Sequence, residues 1–413
     1  MKQLTLKAQF LLFFKDRYWS LFLLNTLLVV LGYYIANVYP AIYPVVKLLK
    51  TTILLGSAAV QINRNREEGI TGRWEVLSVI FYLVLLLATL PFSFDPEASF
   101  SRFLVYIGGV LYVSFFAAYV RQNFDDDEMN RYFCVYCFLA FMFPILLFAI
   151  KLPYIASIGF QIYGERKVNR NLGLVSNNFS WSALAVFLST FTLITRTYTP
   201  LFRRGVLIFL MLFCVFVIML SQSRTSLLIL AACILFLMGG SNLKLTYKIL
   251  IVLGIVMVVF LNFEFGWLDL GTSRFNEKLV NSRSGFEKEW RVIVLRETSS
   301  FFQGNQDFYL HGFGWGVFVE AYQQFISPTA EMDMHNTYLQ LLFEVGIFPF
   351  AYFLIVFLIP TVYKFLMHYR NYLIFIPFII LPYFENNLNS GQFVFFPFMF
   401  TLFFISRHIN KHA

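Results

Sequence analysis

Three arginines and a histidine stand in places where they could handle an anionic ligand at a membrane boundary. Arg224 sits in Ser221-Gln-Ser-Arg224-Thr-Ser226, a short polar connection between two apolar runs. Arg170 ends the stretch Gly164-Glu-Arg-Lys-Val-Asn-Arg170, with Asn-Leu-Gly173 and then Asn177 and Asn178 following. Arg291 lies in a long polar segment that closes on His311-Gly-Phe-Gly-Trp-Gly316 and then on His335-Asn336. A guanidinium grips phosphate or diphosphate through a planar fork of donors and keeps its charge in nearly any surroundings. Three forks from separate segments would enclose one diphosphate. His335 supplies the side-chain type that titrates near neutrality without help, which suits a general base. Gly312, Gly314 and Gly316 are read as leaving backbone amides open to a ligand. The bland alternative makes the arginines helix anchors at lipid headgroups and His335 an ordinary interfacial residue. Arg224 fits that alternative worst, because so short a connection needs no charge for solubility.

The composition says what must carry these groups. Of 413 residues, 59% are hydrophobic and only 13% charged, against roughly a quarter charged in soluble domains. A water-facing surface cannot be built from that mixture, which excludes a soluble enzyme, a disulfide-rich secreted module and a disordered chain. The net charge of +9 lies between apolar runs rather than on a solvated face, so nucleic acid is not an expected partner. Cys134, Cys137, Cys214 and Cys233 all fall within apolar runs and are expected to be buried free thiols. Cys134 and Cys137 have C-x-x-C spacing but sit in an apolar run, and no cluster of Asp, His and Cys with metal-ligand spacing is visible on the outer side, so neither metal nor cofactor is expected.

A spanning helix needs about 20 mostly apolar residues. Such stretches run near Trp19 to Val38, Ile42 to Ile62, Trp74 to Phe92, Phe103 to Val120, Tyr132 to Leu152, Phe179 to Thr195, Gly205 to Leu220, Ser226 to Gly240, Ile249 to Trp267, Asn336 to Pro360, Leu373 to Phe384 and Phe393 to Ser406. The expected fold is an all-α integral membrane bundle of about twelve helices, one polytopic domain over residues 1–413. Basic residues gather on one set of connections, including Arg64, Arg66, Arg73, Arg203, Arg204, Lys244 and Lys248. They are sparse on the other, which holds Arg102, Lys151, Arg166, Lys167, Arg170 and Arg224 outside the long loop. That bias places both termini in the cytoplasm, and Arg224 on the side where arginine is disfavoured. The long loop, 268–334, is then extracytoplasmic and expected to carry short surface helices, one over Phe286 to Thr298 with Trp290, Ile293 and Val294 facing lipid or protein.

Taken together, these motifs are more specific than any one of them. His335-Asn336-Thr-Tyr338-Leu339 followed by Glu344 and Gly346 resembles the H-N-x-[YF]-L…E-x-G signature of the bacterial O-antigen ligase and polymerase family. The Ser-Gln-Ser-Arg-Thr turn, the alternating glycines before His335 and the Arg-Asn-x-Gly…Asn-Asn stretch occur in that family's order. Phe94-Asp-Pro-Glu-Ala-Ser99 also matches it.

The resemblance implies a multi-pass bacterial inner-membrane glycosyltransferase that uses polyprenyl-diphosphate-linked oligosaccharide without a metal. It makes Arg224 and Arg291, with Arg170, the diphosphate-binding residues and His335 the catalytic base. Asn336 is given the task of orienting the imidazole or a sugar hydroxyl, with Gly312, Gly314 and Glu344 in support. Arg283 or Arg296 could take the part of Arg291, because the family's arginine usually precedes a Trp, whereas here Trp290 comes first. Membrane lipid, a flippase and a chain-length regulator are the implied partners. Pro349, where ligases usually carry Gly, Thr or Tyr, tilts the expectation toward a repeat-unit polymerase over a ligase acting on lipid A core. A lipid-linked oligosaccharide transporter would share this composition, but would place its polar groups near the midplane rather than at one face.

Overall fold

The computed structural model describes residues 6–67, 74–159, 172–174, 176–196, 204–221, 226–227, 229–234, 290–327, 336–360 and 362–363. Among these the regular structure is helical and contains no strand. Lipid offers the backbone no hydrogen-bond partner, and a helix meets that constraint internally. In chain order the helices are α1 (Leu6–Lys15), α2 (Arg17–Val38), α3 (Tyr43–Glu67), α4 (Trp74–Thr89), α5 (Pro96–Asn123), α6 (Asp126–Ile158), α7 (Ser176–Arg196), α8 (Arg204–Leu220), α9 (Trp290–Gly304), α10 (Gln306–His311), α11 (Phe318–Phe325), α12 (Thr337–Val345) and α13 (Ile347–Tyr352).

These fall into two compact units assembled from separated stretches of sequence. The first takes residues 6–13 and the described residues from 131 to 234. In it α7 packs on α8, and Phe148 of α6 meets Phe179 at 5.5 Å and Phe213 at 6.1 Å between ring centroids. Phe10 and Phe13 of α1 lie on Phe138 and Tyr132. Cys134, Cys137, Cys214 and Cys233 are buried free thiols.

The second unit takes residues 14–130 and the described residues from 290 to 363, and it contains the motifs of interest. Its center is α5, which Asp95 caps by accepting from the Ala98 amide at 2.9 Å and Pro96 opens with a preset φ. Of the apolar window in α5, 82% is buried, against 17% in α3, so α5 forms the core of this unit and α3 is largely exposed. Asn25 of α2 donates to Ser57 of α3 at 2.9 Å, a buried bond between two apolar helices.

Apolar helices stand at the first seven stretches expected to span the membrane, with α2, α3, α5 and α6 long enough to cross it. The expected eighth span is described only in part, and the ninth, eleventh and twelfth lie outside the described residues. The tenth corrects the expectation of one helix from Asn336 to Pro360. At Gly346 the backbone turns to φ +75°, α12 stops, and α13 starts afresh before a π-helical turn over Phe353–Leu358. A side chain there is excluded, because an added Cβ would lie 2.1 Å from the carbonyl oxygen of Leu310. In the long loop, α9, α10 and α11 are the short helices expected. The first is described over Trp290–Gly304, past the expected end at Thr298, while residues 286–289 lie outside the described residues.

At the opposite end of α5, Asp16 joins two helices. One carboxylate oxygen caps α2 by accepting from the Tyr18 and Trp19 amides at 2.9 and 3.1 Å, and the other accepts the Tyr119 hydroxyl of α5 at 2.9 Å. Replacing Asp16 by Ala removes a cap and a cross-helix bond, together about 1–3 kcal/mol. Thermal unfolding in detergent should show a lowered midpoint for D16A and a smaller loss for D16N, which keeps a capping oxygen. An unchanged D16A midpoint would contradict the assignment.

Candidate functional site

The alternating glycines follow α10 directly. Gly312 ends that helix at φ +76°, its N–H returning to the Phe308 carbonyl at 2.7 Å. The chain then runs beside the last turn of α12, whose carbonyls have no partner within the helix. The Phe313 amide donates to the Phe343 carbonyl and the Gly314 amide to the Glu344 carbonyl, both at 2.8 Å. The contact is so close that an added Cβ on Gly312 would meet the Glu344 carbonyl oxygen at 2.2 Å. Gly346 touches Leu310 in the same way, so the ends of α10 and α12 nest backbone to backbone.

Glu344 closes this arrangement from within. It is 0% exposed; one carboxylate oxygen accepts the Gly316 amide at 3.0 Å, and the other accepts the Gln340 side-chain amide at 2.7 Å. A buried carboxylate is tolerable only when hydrogen bonds replace its water, and two N–H donors do so here. The other face of the Gly316 peptide is held too, since its carbonyl accepts from the Arg102 guanidinium of α5. Arg102 also pairs with Glu320 of α11 at 2.6 Å. Partial burial works to raise the pKa of Glu320, but the hydrogen bond and charge of Arg102 outweigh it and hold the carboxyl below its usual range.

The stretch Phe94 to Ser99 joins the same knot. The Phe313 carbonyl accepts the Phe94 amide at 2.7 Å and the Ser93 hydroxyl at 3.1 Å, while the Ser93 and Ser99 hydroxyls lie 2.7 Å apart. Aromatic rings seal it: Trp315 packs on Tyr106 at 4.1 Å, His311 stacks on Phe92 at 4.2 Å, and Phe302 stacks on Phe343 at 4.8 Å. Behind them Val294, Phe302, Phe313, Phe318, Ala321, Tyr322 and Phe343 form one core, which seats α9 and α11. Tyr322 donates to Glu297, and burial together with that carboxylate pushes its phenol up in pKa.

Two expectations change in this light. The amides of Gly312, Gly314 and Gly316 are not open to a ligand, because each is bonded within the protein. Asn336 is the N-cap of α12, its side-chain oxygen accepting the Leu339 amide at 3.0 Å, so that oxygen serves the helix. Of the expected diphosphate and catalytic residues, Arg170, Arg224 and His335 lie outside the described residues, as does the alternative Arg283. Arg291 lies in the first turn of α9, and Arg296 is exposed on the same helix. Sequence reasoning gave no site role to Ser93, Ser99, Arg102 or Glu320. The signal for Arg102 was present: it is an arginine at the start of an apolar run on the side where arginine is sparse, the argument applied to Arg224.

The carboxylate at the heart of the knot is closed off from solvent. Glu344 has no exposure through which to exchange protons with a substrate, and among the described residues no group of His, Cys, Asp and Glu is arranged to hold a metal. What it offers is a fixed frame next to Asn336, the residue that follows His335 in the chain.

Residues 209–354 match the family model described as O-antigen ligase. The resemblance read from the motifs is thus matched over this stretch, about a third of the chain, which contains Arg224, Arg291, the alternating glycines, His335, Glu344 and Gly346. Arg170 and the Phe94–Ser99 phrase lie outside it. No curated protein matches the chain. The apolar helices and this match together indicate a membrane protein.

Gly312→Ala and Gly346→Ala each force a Cβ into backbone at a positive φ, for which strain and overpacking cost about 2–5 kcal/mol together. Both should lower folded yield and unfolding midpoint in detergent, whereas Gly304→Ala, whose Cβ meets nothing within 4 Å, should behave as wild type. Wild-type stability in G312A and G346A would show that the nested turns are not formed.

Proposed function

We propose that this chain polymerizes lipid-linked polysaccharide repeat units at the outer face of the bacterial inner membrane, by inverting glycosyl transfer that needs no metal. The observation that carries the reading is the match of residues 209–354, which takes in Arg224, Arg291 and His335 in the family's order. Both termini are cytoplasmic in this reading, and a flippase and a chain-length regulator act before and beside it.

The chemistry follows from the residue types. The donor's diphosphate is held by Arg224 and Arg291, with Arg170 in support, and the polyprenyl tail remains in the bilayer. The acceptor hydroxyl, on a second lipid-linked unit, gives its proton to His335 as its oxygen attacks the anomeric carbon from the face opposite the diphosphate. The anomeric C–O bond breaks with both electrons leaving on the polyprenyl diphosphate, and the configuration inverts. Guanidinium groups fixed around that leaving group do the work a divalent cation does elsewhere, because their charge is in place before the reaction begins.

Ligation to lipid A core is the second reading, and the family's description as a ligase favors it. Against it stands Pro349, buried in the first turn of α13, where ligases usually carry Gly, Thr or Tyr. The lipopolysaccharide gel of a deletion strain separates the two. A polymerase deletion leaves core bearing one repeat unit, whereas a ligase deletion leaves bare core with polymer held on its carrier.

With purified protein and lipid-linked repeat units, Arg224→Ala and His335→Ala should each lower chain growth by about 10²–10³, the usual cost of losing one preorganized transition-state contact. Undiminished growth in both would refute the mechanism.

A further inference from the structure

Two lysines on α3 have no part in the knot or in the proposed transfer. Lys47 and Lys50 stand one turn apart in the apolar stretch Tyr43–Arg64, and at 1.5 Å per residue Lys50 lies about 5 Å from its midpoint. A charge at that depth is costly, so its side chain reaches for the nearer boundary or for a partner. The Lys50 stem lies along α2 at Gly32, its Cδ 3.9 Å from where a Cβ on that glycine would stand. Among the described residues neither lysine pairs with a carboxylate. The helices around them offer none nearby: α2 has no Asp or Glu, α3 has only Glu67 at its far end, and α5 has only Glu97 in its first turn.

Lys50 borders a cleft of about 500 Å³ between α2, α3 and α5, a size usual for a ligand pocket. Phe22, Val29, Leu54, Tyr112 and Val113 give it apolar walls. Its three polar lining residues are already committed. Thr26 donates to the Phe22 carbonyl at 3.0 Å, Thr51 to the Lys47 carbonyl at 2.9 Å, and Asn25 to the Leu21 carbonyl and the Ser57 hydroxyl, both at 2.9 Å. A sugar would find few groups there to replace its water, whereas a hydrocarbon chain fits such walls. The cleft extends from Lys50 away from Lys47, past Thr51 to Leu54 at the middle of the span, so two cations stand over one end of an apolar slot. Along α3, Val45, Leu48, Leu49 and Leu55 are each at least half exposed, which puts the slot at the perimeter of this unit.

We propose that α2, α3 and α5 bind one anionic phospholipid from the bilayer leaflet on the Tyr43 side, its phosphate paired with Lys47 and Lys50 and one acyl chain lying in the cleft. Charge and shape both call for such an amphiphile. Ammonium groups are point charges suited to a lone phosphodiester, in contrast to the guanidinium forks assigned above to a diphosphate. The site requires no part of the glycosyl-transfer reading.

The test uses the full-length protein in detergent, freed of lipid, with dioleoyl phosphatidylglycerol as the probe and native mass spectrometry as the readout. One phosphatidylglycerol should bind, and dioleoyl phosphatidylcholine, which has the same chains but no net charge, should bind more weakly. Lys47→Gln and Lys50→Met should each weaken phosphatidylglycerol binding about fivefold, and together on the order of 30-fold. Lys15→Gln, which removes an exposed charge from α1, should leave binding unchanged. Val29→Trp keeps both lysines but fills the cleft, and should also weaken binding. The same lipid should raise the unfolding midpoint of wild type but not of K47Q/K50M, which loses only uncompensated charge and so folds without lipid. Wild-type binding by K47Q/K50M or by V29W, or an equal loss in K15Q, overturns the proposal. Displacement of the lipid by inorganic phosphate would make this a site for a free anion, and preference for polyprenyl phosphate would make it a carrier site; either result overturns the phospholipid assignment.

Discussion

A carboxylate shut away from water organizes the described part of this protein's second unit. Glu344 accepts one hydrogen bond from a loop amide and one from its own helix, and neither oxygen is exposed. Because both donors are needed to replace lost hydration, neither the loop nor the helix can shift without leaving a charge unsatisfied. The surrounding features are consequences of that requirement. Gly312 and Gly346 lack side chains so that the two backbones can approach, Ser93 and Phe94 secure the Phe313 carbonyl, and Arg102 closes the far side of the Gly316 peptide.

This divides labor between rigid and reactive groups. The knot uses short contacts to hold a frame, and the residues proposed to act on substrate lie elsewhere in the chain, Arg224, Arg291 and His335 within the family-matched stretch and Arg170 before it. A site that must bring a lipid-borne diphosphate and a sugar hydroxyl together gains from such a frame, since fixed geometry and fixed charge cost nothing at the moment of reaction. The broken tenth span serves the same end. The turn at Gly346 ends α12 so that its last carbonyls meet the loop.

Much of this was legible in the residue order. Apolar runs located α2 to α8, because length and hydropathy alone decide whether a segment can cross lipid, but α5 and α6 begin earlier, at Pro96 and Asp126 instead of Phe103 and Tyr132, and α1 was not foreseen. The motifs carrying the family resemblance were also visible. What could not be read was how they meet. Alternating glycines look the same whether their amides face a ligand or another helix, and the choice is made by Glu344, 28 residues beyond Gly316. Asn336 was read as a partner for His335 or sugar, yet its position before Thr337 also suits an N-cap, and the helix takes its side-chain oxygen. The break at Gly346 was hidden by continuous hydropathy on either side. Arg102 was counted among the sparse outer-side charges, but its partners lie more than two hundred residues away and leave no local trace.

The central claim is that these elements serve a bond-forming transfer from a diphosphate-linked lipid, and the most direct measurement of it is the stoichiometry of the leaving group. Purified protein given lipid-linked repeat units should release one polyprenyl diphosphate for each new glycosidic linkage. Lipid-linked units that are moved or bound with no polyprenyl diphosphate released would contradict the account.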